Sequence, residues 1–102
     1  MDAPVTPVSL GYIRWDEERR VLLIEDRIIE LTRTEFQIAY PLRYGFPITY
    51  AELSWYVYNC RVDTQVRVML DKHIDRIRGK LHGSGMYIYC VLRYGYVLLA
   101  EI

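Results

Sequence analysis

The sequence predicts one α+β domain in which a small antiparallel sheet leads into three helices and the chain closes on a β-hairpin. Three observations carry that prediction. The apolar period changes from two to between three and four near residue 31, capping-box signatures stand at Thr32-x-x-Glu35 and Thr49-x-x-Glu52, and the tail beyond Gly85 alternates and is rich in tyrosine. A chain of 102 residues suits one domain with a modest core, expected over residues 10–102 behind a tail at 1–9. With 52% hydrophobic and 25% charged residues the composition is globular.

Residues 12–15, 21–24 and 27–31 are β-branched and aromatic runs divided by polar turns at 16–19 and 25–26, as expected of three short strands. Thr32 and Glu35 then open a first helix whose apolar stripe is Phe36, Ile38, Ala39 and Leu42. Pro41 should kink it or end it early, because proline lacks the amide donor and clashes one turn back. Gly45-Phe46-Pro47 interrupts the pattern, and Thr49 and Glu52 open a short second helix ahead of Leu53, Tyr56 and Val57. Asp63 or Thr64 can cap a third helix of about 19 residues, near 28 Å at 1.5 Å per residue. Its apolar positions Val66, Leu70, Ile74, Ile77 and Leu81 recur at helical spacing, and Gly83 and Gly85 end it. Met86 to Leu92, a tip at Arg93-Tyr94-Gly95, and Tyr96 to Leu99 form the hairpin. Sheet, three helices and hairpin in that order are the layout of a winged helix-turn-helix with an added N-terminal antiparallel sheet.

The formal net charge is zero, but its distribution is uneven. Residues 1–60 hold six basic against nine acidic side chains, and residues 61–82 hold six basic against three acidic, which concentrates positive charge on the third helix. Neither His73 nor His82 has metal-ligand partners at a usable spacing, and no nucleophile elbow or phosphate-cradling glycine loop is present, so no metal, cofactor or enzymatic activity is expected. Cys60 and Cys90 are read as buried thiols. No apolar run approaches the roughly 20 residues of a membrane span and the N-terminus lacks a signal-like pattern, so a cytoplasmic chain without membrane association is expected.

Leu31-Thr32-x-x-Glu35-Phe36 resembles the LTxxEF signature of the first helix in OmpR/PhoB-type response-regulator effector domains. His73-Ile74-Asp75-Arg76-Ile77-Arg78-Gly79-Lys80-Leu81 is similar to that family's HIxRLRxKL stretch, and Ile88-x-x-Val91-x-x-x-Gly95-Tyr96 is similar to its IxTVRGxGY wing. The resemblance extends over about residues 10–99. It implies sequence-specific binding of double-stranded DNA in transcriptional regulation, with the third helix in the major groove and the hairpin wing at the minor groove. Family members usually carry a phosphoacceptor receiver ahead of this domain. This sequence contains no receiver, so the chain is read either as a stand-alone regulator or as a piece of a longer protein, with a receiver or sensor domain on a longer or separate chain as a candidate partner.

Opposite the apolar stripe, a helical projection places Gln65, Val68, Met69, Lys72, Asp75, Arg76 and Gly79 on one outward face. Lys72 and Arg76 are the candidates for base edges, Arg76 standing at the position the resemblance makes base-reading. The resemblance makes His73 and Arg78 phosphate contacts, and Arg67 and Lys80 are assigned with them. The chain also departs from the family. Val68-Met69-Leu70 stands where Arg-Thr-Val is usual, Asp75 replaces a polar or basic residue, and Leu92-Arg93 stands where Arg-Gly is common, which moves the wing's minor-groove arginine to Arg93. A second reading keeps the fold but makes it a protein-association module with weak or no DNA binding. It rests on the 10 tyrosines, most of which are expected to fill the core and cover strands, and on Val68-Met69 as a homodimer patch.

Overall fold

The computed structural model describes residues 13–101; the expected tail at 1–9 and the expected strand start at Tyr12 lie outside the described residues. Among the described residues, ten elements form two three-stranded antiparallel sheets, three helices and a 3₁₀ turn.

The first sheet is β1 (Ile13–Asp16), β2 (Val21–Ile24) and β3 (Arg27–Glu30) in that order. Its register aligns Trp15 with Leu22 and Leu22 with Ile29, and Ile13 with Ile24. The pleat sends these side chains to the face that packs on the helices, where Ile13, Leu22, Ile24 and Ile29 are buried.

Helix α1 (Arg33–Ala39) starts where the sequence places it. The Thr32 amide donates to Glu35 Oε1 at 2.9 Å and the Glu35 amide donates to Thr32 Oγ1 at 3.2 Å, which satisfies two amides that a helix end leaves without partners. It stops at Ala39, and the chain tightens into a 3₁₀ turn, Tyr40–Leu42, around Pro41. Helix α2 (Tyr50–Tyr58) has the second capping box, with the Thr49 amide 2.8 Å from Glu52 Oε1, and ends at Asn59 in a left-handed conformation that asparagine tolerates. Helix α3 (Thr64–Leu81) is capped by Asp63, whose carboxylate accepts from the Val66 amide at 2.8 Å. The five stripe residues named from spacing, Val66, Leu70, Ile74, Ile77 and Leu81, are the five buried ones. Through them and its flanks, α3 packs on α1, α2, β3 and β5.

The wing is β5 (Met86–Val91) and β6 (Gly95–Ala100), with a tip at residues 92–94, so Gly95 opens a strand and is not part of the tip. A two-residue strand that the sequence reading did not contain, β4 (Ile48–Thr49), pairs with β6 and makes the hairpin a three-stranded sheet of order β4-β6-β5. Gly95 lies opposite Thr49 in this pairing, and a Cβ at Gly95 would stand 1.7 Å from the Ile48 carbonyl oxygen. Close approach of backbone, and not a left-handed turn, is what requires glycine here.

One expectation needs correction. Cys90 is exposed and Cys60 half-buried, so the pair are not both buried thiols. Met86, Ile88 and Cys90 share one face of β5, but Cys90 lines an open cavity with Asp71, Ile74, Asp75, Arg78 and Tyr96 and so stays accessible to solvent. Most of the tyrosines stand as expected: Tyr50 and Tyr96 are buried, Tyr40 and Tyr58 pack half-buried against the core, and Tyr87 and Tyr89 lie half-buried on β5, while Tyr44, Tyr56 and Tyr94 are exposed.

A buried acid joins α3 to α1. Burial alone raises the pKa of Glu35, but the hydrogen bond from Lys80 Nζ at 2.6 Å and those from Thr32 outweigh it and hold the carboxyl below its ordinary value. Lys80 also donates to the Glu30 carbonyl at 3.1 Å.

Two measurements check this packing. Gly95→Ala should destabilise the domain by about 3 kcal/mol in urea unfolding, the upper end of ordinary overpacking costs; an unchanged midpoint would contradict the contact with Ile48. Because its folded pKa is depressed, Glu35 contributes stability that is fully present above 4.5 and lost as the pH falls through the depressed value. Glu35→Gln should therefore flatten the acid side of the stability profile, and Lys80→Met should cost about 1–3 kcal/mol at neutral pH and move acid unfolding to higher pH.

Candidate nucleic-acid interface

Every residue placed on the outward face of α3 by helical projection is exposed: Gln65, Val68, Met69, Lys72, Asp75, Arg76 and Gly79. What distinguishes the face is how the cations of the helix are used. Of its five lysines and arginines, Arg67, Arg78 and Lys80 are engaged with other parts of the domain, whereas Lys72 and Arg76 form no ion pair or hydrogen bond with another described residue. These two stand one helical turn apart and point the same way.

The flank of α3 toward the wing holds Arg67, Asp71 and Arg78, at spacings of four and seven that align them in one row. Each meets a group on α2 or the wing. The Arg67 guanidinium lies 3.6 Å above the centre of the Tyr50 ring at the start of α2, a cation–π contact. Asp71 accepts a hydrogen bond from the Tyr96 hydroxyl on β6. Arg78 donates from Nε to the Ile88 carbonyl on β5 at 2.8 Å and lies 5.0 Å from the centre of the Tyr87 ring. It also pairs with the exposed Asp75 at 3.0 Å. Tyr50 and Tyr96 pack edge to face at 5.4 Å, so the row is backed by aromatic contact as well as by polar bonds. Burial first, and then the hydrogen bond with Cys90 Sγ at 3.6 Å, push the Tyr50 hydroxyl above its ordinary pKa.

The opposite flank faces α1 and the first sheet. His73 is half-buried there, with Nδ1 enclosed and without a described partner, and Lys80 is held by Glu35 and the Glu30 carbonyl.

At the wing tip, the Tyr94 amide donates to the Val91 carbonyl at 2.9 Å, and the Tyr94 carbonyl accepts from the Tyr50 amide at 2.9 Å. The tip is thereby tied to the first turn of α2. Arg93 is exposed and has φ +61°, a left-handed conformation that costs a non-glycine residue about 1–2 kcal/mol. Leu92 beside it is 83% exposed.

The sequence-assigned residues thus fall into three groups. Lys72 and Arg76 lie together on the free face. Arg67, Arg78, His73 and Lys80 flank it, the first two on the wing side and the others toward α1. Arg93 stands apart on the wing tip. The residues that sequence reasoning missed are Asp71, Tyr50, Tyr87 and Tyr96, which set the wing against α3. The one local signal was the spacing of Arg67, Asp71 and Arg78, since the aromatic partners are distant in sequence. Among the described residues no group of three or more His, Cys, Asp or Glu side chains is placed to hold a metal ion, and no helix is long and apolar enough to cross a membrane.

No family model matches the chain, and no curated protein matches it. Solved structures do. The DNA-binding domain of the response regulator AdeR, in complex with an intercistronic region, is 26% identical over 88% of this chain and 95% of its own, with a TM-score of 0.68. The DNA-binding domain of CpxR from E. coli is 22% identical over 97% of this chain and 100% of its own, with a TM-score of 0.73. That of Klebsiella pneumoniae RstA, in complex with the RstA box, is 21% identical over 96% of this chain and 100% of its own, with a TM-score of 0.74. The chain has the α+β winged-helix fold of the OmpR/PhoB-type response-regulator DNA-binding domains.

Proposed function

We propose that this domain binds double-stranded DNA sequence-specifically in transcriptional regulation, with α3 in the major groove and the hairpin wing at the minor groove. The observation that carries the reading is that Lys72 and Arg76 have no ion pair or hydrogen bond among the described residues, on a helix whose other lysines and arginines are all engaged. Leaving two long cationic side chains unpaired on one face suits a polyanionic partner. Arg76 reads guanine by gripping O6 and N7 together, and Lys72 meets the base edge one turn earlier. The AdeR and RstA domains of the same fold were solved with DNA, which supports the same partner here.

Arg67, His73 and Arg78 contact phosphates from the flanks of α3, fixing the register of the helix in the groove without reading sequence. Arg67 and Arg78 are positioned for this by the Tyr50 ring and the Ile88 carbonyl. Lys80 we assign to the fold and not to a phosphate, because leaving Glu35 would strand a buried carboxylate. Arg93, held at the wing tip, enters the minor groove, where A·T-rich sequence narrows the groove and attracts arginine.

The second reading, a protein-association module, draws on exposed Trp55 and Tyr56 on α2, since large exposed rings suit protein contacts. It becomes the leading one if the domain binds no duplex at low salt.

Arg76→Ala should cost about 1–3 kcal/mol on the preferred duplex and relax its base preference. Arg78→Ala should weaken all duplexes alike and reduce the slope of log affinity against log salt by about one. Arg78→Lys keeps the charge and loses the bond to Ile88, so it separates the phosphate contact from the placement of the wing. Unchanged preference in Arg76→Ala would remove that residue from the reading, as measured by binding titrations on a duplex panel at two salt concentrations.

A further inference from the structure

The free face of α3 also carries two apolar side chains that the core does not use. Val68 is 48% exposed and Met69 39% exposed, although both belong to the helix that supplies the buried stripe. Val68, Lys72 and Arg76 follow one another at intervals of four, so they form a single row along the helix, and Met69 lies beside that row within a turn of Lys72. An apolar segment is therefore continuous with the two free cations.

Three arguments narrow what covers this segment. Apolar side chains gain nothing from phosphate oxygens, so Val68 and Met69 are not substitutes for phosphate-binding groups. A second copy docked here about a two-fold axis would bring Lys72 and Arg76 of one subunit toward the same cations of the other, and the neighbouring Asp75 is already paired with Arg78. The major groove, by contrast, offers both surfaces in sequence: acceptor pairs on guanine, and the C5-methyl group of thymine as its apolar feature.

Resting on the DNA-binding reading above, we infer that Val68 and Met69 read thymine methyl groups, and that the preferred duplex has a thymine at a set distance from the guanine read by Arg76. One turn of four residues rises about 6 Å and base pairs stack about 3.4 Å apart. Because a helix following the groove is inclined to the duplex axis, the thymine then lies within about two base-pair steps of the base met by Lys72 and within about four of the guanine of Arg76. The apolar end of the face is its N-terminal end, which fixes the order in which thymine and guanine follow along the groove. Asp75, beside Arg76 but bonded to Arg78, does not interrupt the row.

The test uses the whole chain. It is incubated with a random-sequence duplex pool at low salt, and the retained DNA is sequenced. The thymine of the enriched motif is then replaced by deoxyuridine, which deletes only the C5-methyl group. The expected motif pairs a guanine with a thymine within the stated distance. Wild-type affinity should fall about fourfold on the deoxyuridine duplex, the worth of one buried methyl group, and the Val68→Ala, Met69→Ala double variant should bind the two duplexes equally. Both substitutions are at exposed positions, so folding is retained. An enriched motif without that thymine, or equal wild-type affinity for the two duplexes, overturns the inference. If instead no duplex is retained even at low salt, the DNA-binding reading itself fails and this inference with it. A concentration-dependent dimer dissolved by Val68→Ser and Met69→Ser gives the patch to a second copy and likewise overturns the assignment.

Discussion

Helix α3 touches both sheets and both other helices, and what it can offer to a partner is set by what those contacts use up. Leu70, Ile74 and Ile77 are fully enclosed, and helical geometry leaves only the opposite side of the cylinder free. Charge is then divided across that cylinder. On one flank Arg67, Asp71 and Arg78 hold α2 and the wing, and on the other Lys80 neutralises a buried glutamate of α1. The outward face inherits Lys72 and Arg76, unpaired among the described residues. Breaking a contact on the wing-side flank would loosen the wing against the helix, whereas breaking the Lys80–Glu35 pair would act on the packing of α1.

The same division explains how a chain with no net charge can present a cationic surface. Acidic residues are concentrated before residue 61, and the carboxylates within α3 at Asp71 and Asp75 are bonded to Tyr96 and Arg78. At physiological ionic strength, charges more than about 8 Å apart are largely screened at the surface, so a groove-bound phosphate would respond to the local arrangement more than to the total. The wing adds a third cation, Arg93, on a separate element. Arg93 occupies a left-handed position where glycine would be easier, and the hydrogen bond between the Tyr50 amide and the Tyr94 carbonyl fixes the adjoining residue.

Features written within a few residues of one another were legible in the sequence. Both capping boxes, the arrest of α1 by Pro41 and the five-residue stripe of α3 depend on local spacing, and each stands where the sequence places it. Features that depend on distant partners were not. Strand β4 has two residues and no pattern of its own; it exists because β6 offers an edge and Gly95 allows the backbones to approach. Cys90 reads as an inward-facing strand residue, and its exposure comes from an open cavity that it lines with residues of α3 and β6, distant in sequence. The outward face of α3 followed from helical periodicity, but the engagement of Arg78 with Ile88 and of Lys80 with Glu35 could not, because those partners lie 10 and 45 residues away.

The most direct test of the account is an NMR titration of the isotopically labelled domain with short duplex DNA, following backbone amides and arginine side chains. Shifts concentrated on residues 65–79 of α3 and on the wing tip at 92–94, with β1 to β3 little affected, are the predicted result. Shifts centred on the first sheet or on Trp55 and Tyr56, or none at low salt, would contradict the claim that the free face of α3 is the DNA-reading surface.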